Sequence, residues 1–127
     1  MVDLWPDQFG TLSSPPPILT LMEQASLISN KTGGRIVASV VSNNHSDGFA
    51  LRFLLVAPFL DDYAYHLFSV SHTVDLYPLQ VEAHVMDQRF QCKTLEEFQA
   101  VLRTIFSSPQ TIKVIQAILA QTDAVRS

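Results

Sequence analysis

The sequence predicts an α+β fold, an antiparallel meander of four to five strands with one N-terminal and two C-terminal helices packed on one face. Two observations lead to it. Residues 35–93 contain short runs rich in Val, Ile, Leu and Phe, separated by polar turns. The segments before and after this block carry apolar residues at helical spacing instead. Because a helix cannot bury an apolar stripe alone, both kinds of segment should share one core.

Residues 1–16 are predicted to form an N-terminal arm, and residues 17–127 a single α+β domain. Prolines and a glycine in the arm discourage regular structure. The arm nevertheless carries Leu4, Trp5, Phe9 and Leu12, which a solvated tail would not need. Two alternatives explain them. The arm packs onto the core of its own domain, or it docks on a partner subunit.

The first helix is predicted to begin near Pro17, with Ser14 as its candidate cap, because proline suits an opening turn. It should end at Gly33 and Gly34, since glycine readily terminates a helix in the left-handed conformation. One face of this helix is apolar. Its residues are Ile18, Leu21, Met22, Ala25 and Ile28.

Five strands are predicted from period-two patterns and the turns between them. They span residues 35–43, 49–57, 63–72, 79–86 and, as a short fifth strand, 89–93. Both sets of alternate residues in the second strand are mainly apolar, which indicates a central strand or one covered on both faces.

The two C-terminal helices begin with recognisable caps. Thr94 and Glu97 form a capping box, in which the threonine hydroxyl accepts from a backbone N–H and the glutamate reaches back. Ser108 followed by Pro109 combines a capping side chain with a first-turn proline.

Two registers compete for the hairpin of the third and fourth strands. One pairs His66 with His84 and Phe68 with Glu82, whereas a one-residue slip pairs Phe68 with Val81. Burial favours the second register, because each misplaced large apolar side chain forfeits roughly 1.5–3 kcal/mol. That register sends His66 to the apolar face of the sheet and His84 to the polar face. The sequence therefore predicts no shared metal site.

In the favoured register, Tyr65 and Leu67 lie on the face opposite Phe68. A face that is half apolar and half polar suits a protein interface or a shallow ligand groove. The predicted ligand or partner face comprises Tyr63, Tyr65, Leu67 and His84, together with Trp5 of the arm. If the domain instead encloses a pocket between sheet and helices, its polar groups should be Asp62, Tyr65 and His66.

No pattern in the sequence identifies a catalytic residue, a metal ligand set or a cofactor site. Cys92 is the only cysteine, and its parity with Phe90 predicts a thiol that faces the core. Asp61 and Asp62 suit a turn. Glu96 and Glu97 lie in the first turn of the helix that follows Thr94, where the helix dipole stabilises negative charge.

Composition narrows the classes of function. The apolar fraction is 47% and the charged fraction 16%, against roughly 25% charged residues in ordinary domains. The net charge of -4 disfavours nucleic-acid binding. No signal peptide or membrane span is predicted, so a cytoplasmic protein is expected.

The best hypothesis is a small non-enzymatic interaction module that acts through its open sheet face. Its partner is expected to be a second copy, in a homodimer, or another protein. The alternative is a small enzyme or ligand-binding domain. In size, acidity and α+β composition the chain resembles the small dimeric chaperones of bacterial secretion systems. Those chaperones place a helix within the strand series, and none is predicted here, so no residue roles are carried over.

Overall fold

A computed structural model describes all 127 residues. The first helix is α1 (Pro17–Lys31). The strands are β1 (Val37–His45), β2 (Gly48–Ala57), β3 (Tyr63–His72), β4 (Leu79–Ala83) and β5 (Gln88–Cys92). The last two helices are α2 (Leu95–Phe106) and α3 (Pro109–Arg126), and a single 3₁₀ turn, Pro58–Leu60, precedes β3. The α+β prediction is confirmed.

The five strands form one antiparallel sheet in chain order, so β1 and β5 are its edges. Polar turns join neighbouring strands, as expected for a meander. The fourth strand ends at Ala83, three residues earlier than predicted, and β5 begins at Gln88 after a turn. The outer edge of β1 pairs with no other strand of the chain.

All three helices contribute to one core on one face of the sheet. Each helix packs at least one buried side chain against alternate residues of the strands. These side chains are Leu21 of α1, Phe98 and Ile105 of α2, and Ile118 of α3. From the sheet, the core receives Leu51, Phe53, Leu55, Ala57, Phe68, Val70, Leu79, Val81 and Ala83, among others. We call this side of the sheet the helical face.

Local hydrogen bonds explain where α2 and α3 begin. The Thr94 hydroxyl accepts from the Glu97 backbone N–H at 3.1 Å, and the Ser108 hydroxyl accepts from that of Thr111 at the same distance. Helix α1 begins at Pro17, as predicted, but its N-cap is Pro16 rather than Ser14, and no side chain caps it. A proline so close to the first turn leaves Ser14 outside capping reach.

The opposite side of the sheet, which we call the open face, carries no helix. Its strand residues lie in four rows across the sheet. The rows are Val37, Val56 and Ala64; Ser39, Leu54 and His66; Val41, Arg52, Ser69, Glu82 and Arg89; and Asn43, Ala50, Ser71, Gln80 and Gln91. The first rows are mainly apolar and the last ones are polar.

The N-terminal arm forms neither helix nor strand, and its large apolar side chains do not pack on the domain. Leu4, Trp5, Phe9 and Leu12 are each at least 74% exposed. The alternative in which these residues join the core of their own domain is therefore wrong for this structure. Trp5 and Phe9 contact each other edge to face, with ring centroids 6.1 Å apart.

Candidate functional site

A β-bulge in β3 determines which side chains meet on the open face. Phe53 pairs with Phe68, but the next residue of β2, Leu54, pairs with His66, so Leu67 is an extra residue in β3. Leu67 and Phe68 are both fully buried on the helical face. The bulge thus reverses the alternation of side chains along β3.

This reversal corrects the predicted partner face. Tyr65 pairs with Leu55 and Tyr63 with Ala57, so both tyrosines lie on the helical side, as does buried Leu67. Their placement opposite Phe68 is wrong, because it assumed strict alternation through residue 67. Tyr63 is half exposed at the end of the sheet. Any binding role for these residues stays a prediction.

The predicted register of β3 against β4 is also wrong, by two residues. Val81 pairs with Val70 rather than with Phe68, and Leu79 pairs with His72. A shift of two residues keeps every side chain on the same face. Burial can therefore reject the register that pairs Phe68 with Glu82, but it cannot distinguish registers that differ by two residues.

The bulge and the register together place two histidines side by side on the open face. The imidazole centroids of His66 and His84 are 4.2 Å apart. The Ser69 Oγ atom lies between them, 2.8 Å from Nε2 of His66 and 3.2 Å from Nε2 of His84. The prediction that the two histidines occupy different faces is wrong. We call these three residues the His–Ser–His cluster.

Charged neighbours surround the cluster. The Glu82 Oε1 atom is 3.9 Å from Nδ1 of His84 and 3.9 Å from Nη2 of Arg89. Desolvation lowers the pKa of His66 below its ordinary value, and the nearby His84 and Arg52 lower it further. Hydrogen bonding with the Phe68 backbone and the charge of Glu82 oppose this shift. His66 is therefore held towards its neutral form, which keeps a ring-nitrogen lone pair available.

The cluster contains the residue types of a nucleophile, a base and a carboxylate, but not their geometry. At 3.9 Å, Glu82 is too far from His84 to orient it by a hydrogen bond. The Ser69 hydroxyl can donate to one imidazole while it accepts from the other, so neither ring is placed solely as its base. Two ring nitrogens that converge on one point are better suited to binding a cation or a polar group than to activating serine.

The alternative pocket residues do not come together. His66 is on the open face, Tyr65 is on the helical side, and Asp62 is exposed in a turn. Asp61 and Asp62 both adopt left-handed backbone angles, with φ of 56° and 57°. Asp tolerates this conformation better than most residues, which accounts for the pair structurally.

The helical side contains a different pocket. A cavity of about 310 Å³ opens between α1 and α3. Its lining is mainly apolar and includes Leu27, Phe53, Leu55, Leu67 and Ile115. Gln24, Lys31 and Thr111 contribute the polar groups. Nothing in the alternation pattern located this cavity, because it depends on how two helices lie side by side.

The register favoured by burial keeps His66 and His84 apart, and no pattern in the sequence identifies Ser69 as the residue between them. The sequence does not identify the bulge by itself. Residues 67 and 68 are consecutive large apolar side chains in a strand that otherwise alternates on one side of them. Leu54 and Leu55 of β2 form a similar doublet, yet both pair regularly with β1 and no extra residue is present there.

Comparisons with known proteins add no assignment: no family model, curated protein or solved structure matches the chain. Among the helices, none combines the length and the apolar character needed to cross a membrane.

Proposed function

We propose that the protein is an interaction module that forms a two-fold homodimer through the apolar part of its open face. The single observation that carries the proposal is the composition of the first rows of that face. These rows contain Val37, Leu54 and Val56, and Val41 of the third row lies diagonally next to Leu54. Val37 is exposed and the other three are half-buried, and no helix or strand of the same chain covers them. Contiguous exposed apolar surface is typical of an interaction site.

The size of the open face supports a role for the arm in the same interface. Strand lengths and spacing give the face about 600 Å², whereas each partner in a stable complex typically buries about 800 Å². The exposed arm carries Leu4, Trp5 and Phe9 and supplies further apolar area. An arm that crosses to the second copy would bring the interface into the standard range.

A two-fold arrangement is favoured because it requires only one self-complementary patch. The low charged fraction of 16% supports an extensive contact, since charged residues are depleted at interface centres. The third row of the open face has both signs of charge, with Arg52 and Arg89 on either side of Glu82. Antiparallel stacking of two such rows pairs opposite charges.

Sedimentation of the full chain over a wide concentration range tests the proposal. We expect a reversible dimer in the wild type and a monomer with unchanged circular dichroism in Leu54→Glu. Val74→Glu is the matched control, because Val74 is 76% exposed in a loop outside the open face. A wild-type monomer throughout the concentration range, or equal weakening by both substitutions, would contradict the proposal.

A second candidate function, binding of a small apolar ligand, is favoured by the cavity between α1 and α3. Its volume of about 310 Å³ is at the lower end of the range for ligand sites. Binding of an apolar fluorophore, and its loss in Ile115→Phe, would support this function. Leu19→Phe is the control, since Leu19 is exposed on α1 and does not line the cavity. Unchanged fluorophore binding in Ile115→Phe would remove this candidate.

A further inference from the structure

The two histidines of the His–Ser–His cluster are arranged as a pair of metal ligands. We propose that His66 and His84 bind one divalent first-row transition-metal ion, such as Zn²⁺, through their Nε2 atoms on the open face. Both ligands belong to one chain, so the site does not require a second copy, but it lies on the same open face that the proposed dimer covers. Imidazole nitrogen is a ligand that suits Zn²⁺, Ni²⁺ and Cu²⁺.

The direction of the ring nitrogens is the first argument. Both Nε2 atoms are directed at the position of Ser69 Oγ, at 2.8 and 3.2 Å. A hydroxyl has one hydrogen, so it can donate to only one of the two rings, and the other ring must donate to it. A metal ion in this position would accept a lone pair from both rings at once.

The spacing is the second argument. Zn²⁺ binds imidazole nitrogen at about 2.0–2.1 Å, so two nitrogen ligands of a tetrahedral ion lie about 3.4 Å apart. In such a complex the ring centroids lie about 5 Å apart, so the two rings, whose centroids are 4.2 Å apart, must separate by about 1 Å when the ion binds. The Ser69 side chain vacates the position by rotating to another staggered rotamer.

The surroundings of His84 are the third argument. Its Nε2 atom faces the cluster, while its Nδ1 atom faces the Glu82 carboxylate at 3.9 Å. Ligand histidines commonly place the non-ligating N–H towards a carboxylate, which fixes the tautomer and the ring orientation. At 3.9 Å the two atoms are not hydrogen-bonded, so this contact forms only if metal binding draws the His84 ring about 1 Å towards Glu82.

The site would be open rather than structural. No group of three or more His, Cys, Asp or Glu side chains converges anywhere in the chain. Two ligands leave coordination positions for water or for a polar group of a bound molecule. The His84 side chain is 36% exposed, so an ion can enter directly from solvent.

Calorimetric titration of the untagged full chain with ZnCl₂ tests the proposal, since a polyhistidine tag would bind the same ion. We expect one ion per chain and a loss of about tenfold or more in affinity for His66→Gln and for His84→Gln. Co²⁺ should give tetrahedral visible absorption in the wild type, and this absorption should disappear in the double variant. His45→Gln is the matched control, because His45 is exposed at the end of β1.

Ser69→Ala separates metal binding from a purely hydrogen-bonded cluster. It removes the hydroxyl and leaves both imidazoles, so Zn²⁺ affinity should be retained or increased. Val37→Glu adds a carboxylate to the apolar rows two strands away from β3, so it should weaken the dimer but bind Zn²⁺ as the wild type does, which keeps failure of this proposal distinct from failure of the dimer. Wild-type affinity no higher than that of the double variant, or an equal loss in His45→Gln, would overturn the assignment.

Discussion

Thr94 begins α2 with a reciprocal pair of hydrogen bonds. Its hydroxyl accepts from the backbone N–H of Glu97, and the Glu97 carboxylate accepts from the backbone N–H of Lys93 at 2.9 Å. The carboxylate reaches one residue further back than in the standard capping box. The two bonds satisfy one N–H of the first helical turn and one in the chain that leads into it.

We expect Thr94→Ala to lower the free energy of unfolding by about 0.5–2 kcal/mol, because it leaves the Glu97 backbone N–H without its cap. Denaturant unfolding measures the change. Thr104→Ala is the control, since Thr104 is exposed in the same helix and its hydroxyl bonds only to the preceding turn, at the Ala100 carbonyl. Equal effects of the two substitutions would show that the cap contributes nothing specific.

Cys92 is fully buried, and burial is the main reason that its pKa is raised to about 11, with the charge of Glu97 as a further cause. At pH 8, its thiolate fraction should be about two orders of magnitude below that of a free cysteine. We expect reaction with Ellman's reagent to be at least about hundredfold slower in the native chain than in urea. Similar rates in both conditions would refute a buried thiol.

The raised pKa of Cys92 also predicts the direction in which stability changes with pH. A raised pKa means that the fold favours the protonated thiol, so its contribution is complete below the ordinary pKa of 9.0 and is lost as pH rises towards about 11. The free energy of unfolding, measured across this pH interval, should therefore fall more in the wild type than in Cys92→Ala.

Features of single residues were predictable where they depend on neighbours in sequence. The cap at Thr94 requires only Glu97, and the burial of Cys92 follows from its parity within a short strand. The cap of α1 was not predictable in this way. The start at Pro17 was predicted, but Ser14 lies two residues before the N-cap, Pro16, which has no side-chain capping group.

At the scale of elements, the sequence predicts the order of helices and strands and the limits of β3, but not the bulge within it. A strict alternation assigns Leu67 to the open face, whereas the bulge places it in the core. Local patterns cannot report an extra residue unless the pairing of both neighbouring strands is known. The meeting of His66 with His84 depends on that residue, so the candidate site was not predictable.

We expect Leu67→Ala to lower the free energy of unfolding by about 2–5 kcal/mol, because it leaves a cavity beside Phe53 and Phe106. Leu19→Ala makes the same chemical change at an exposed position of α1 and should have little effect. Chemical denaturation of both variants gives the comparison. A small loss of stability for Leu67→Ala would indicate that side chains alternate regularly along β3 and would contradict the bulge.

At the scale of the whole molecule, Trp5 is a natural reporter because it is the only tryptophan of the chain. Its side chain is 74% exposed. Emission of a dilute sample should resemble that of free tryptophan. If the arm crosses to a second copy, emission should shift to shorter wavelength as concentration rises.

Leu54→Glu provides the control for this measurement, because the variant should stay monomeric and show no shift. A blue shift in dilute samples of both proteins would mean that the arm folds onto its own domain instead. The choice between these arrangements was open from the sequence, since apolar residues in an arm do not specify which surface they contact.

The unpaired outer edge of β1 has a consequence for solubility. Its nine residues, from Val37 to His45, include no proline, lysine, arginine or carboxylate, which are the side chains that usually protect an exposed edge from pairing with other chains. Repulsion between copies then depends on the net charge of -4, which vanishes near pH 5.4. Mild acidification should therefore promote ordered β-aggregation before the domain unfolds, and a single lysine introduced in this edge strand should delay it.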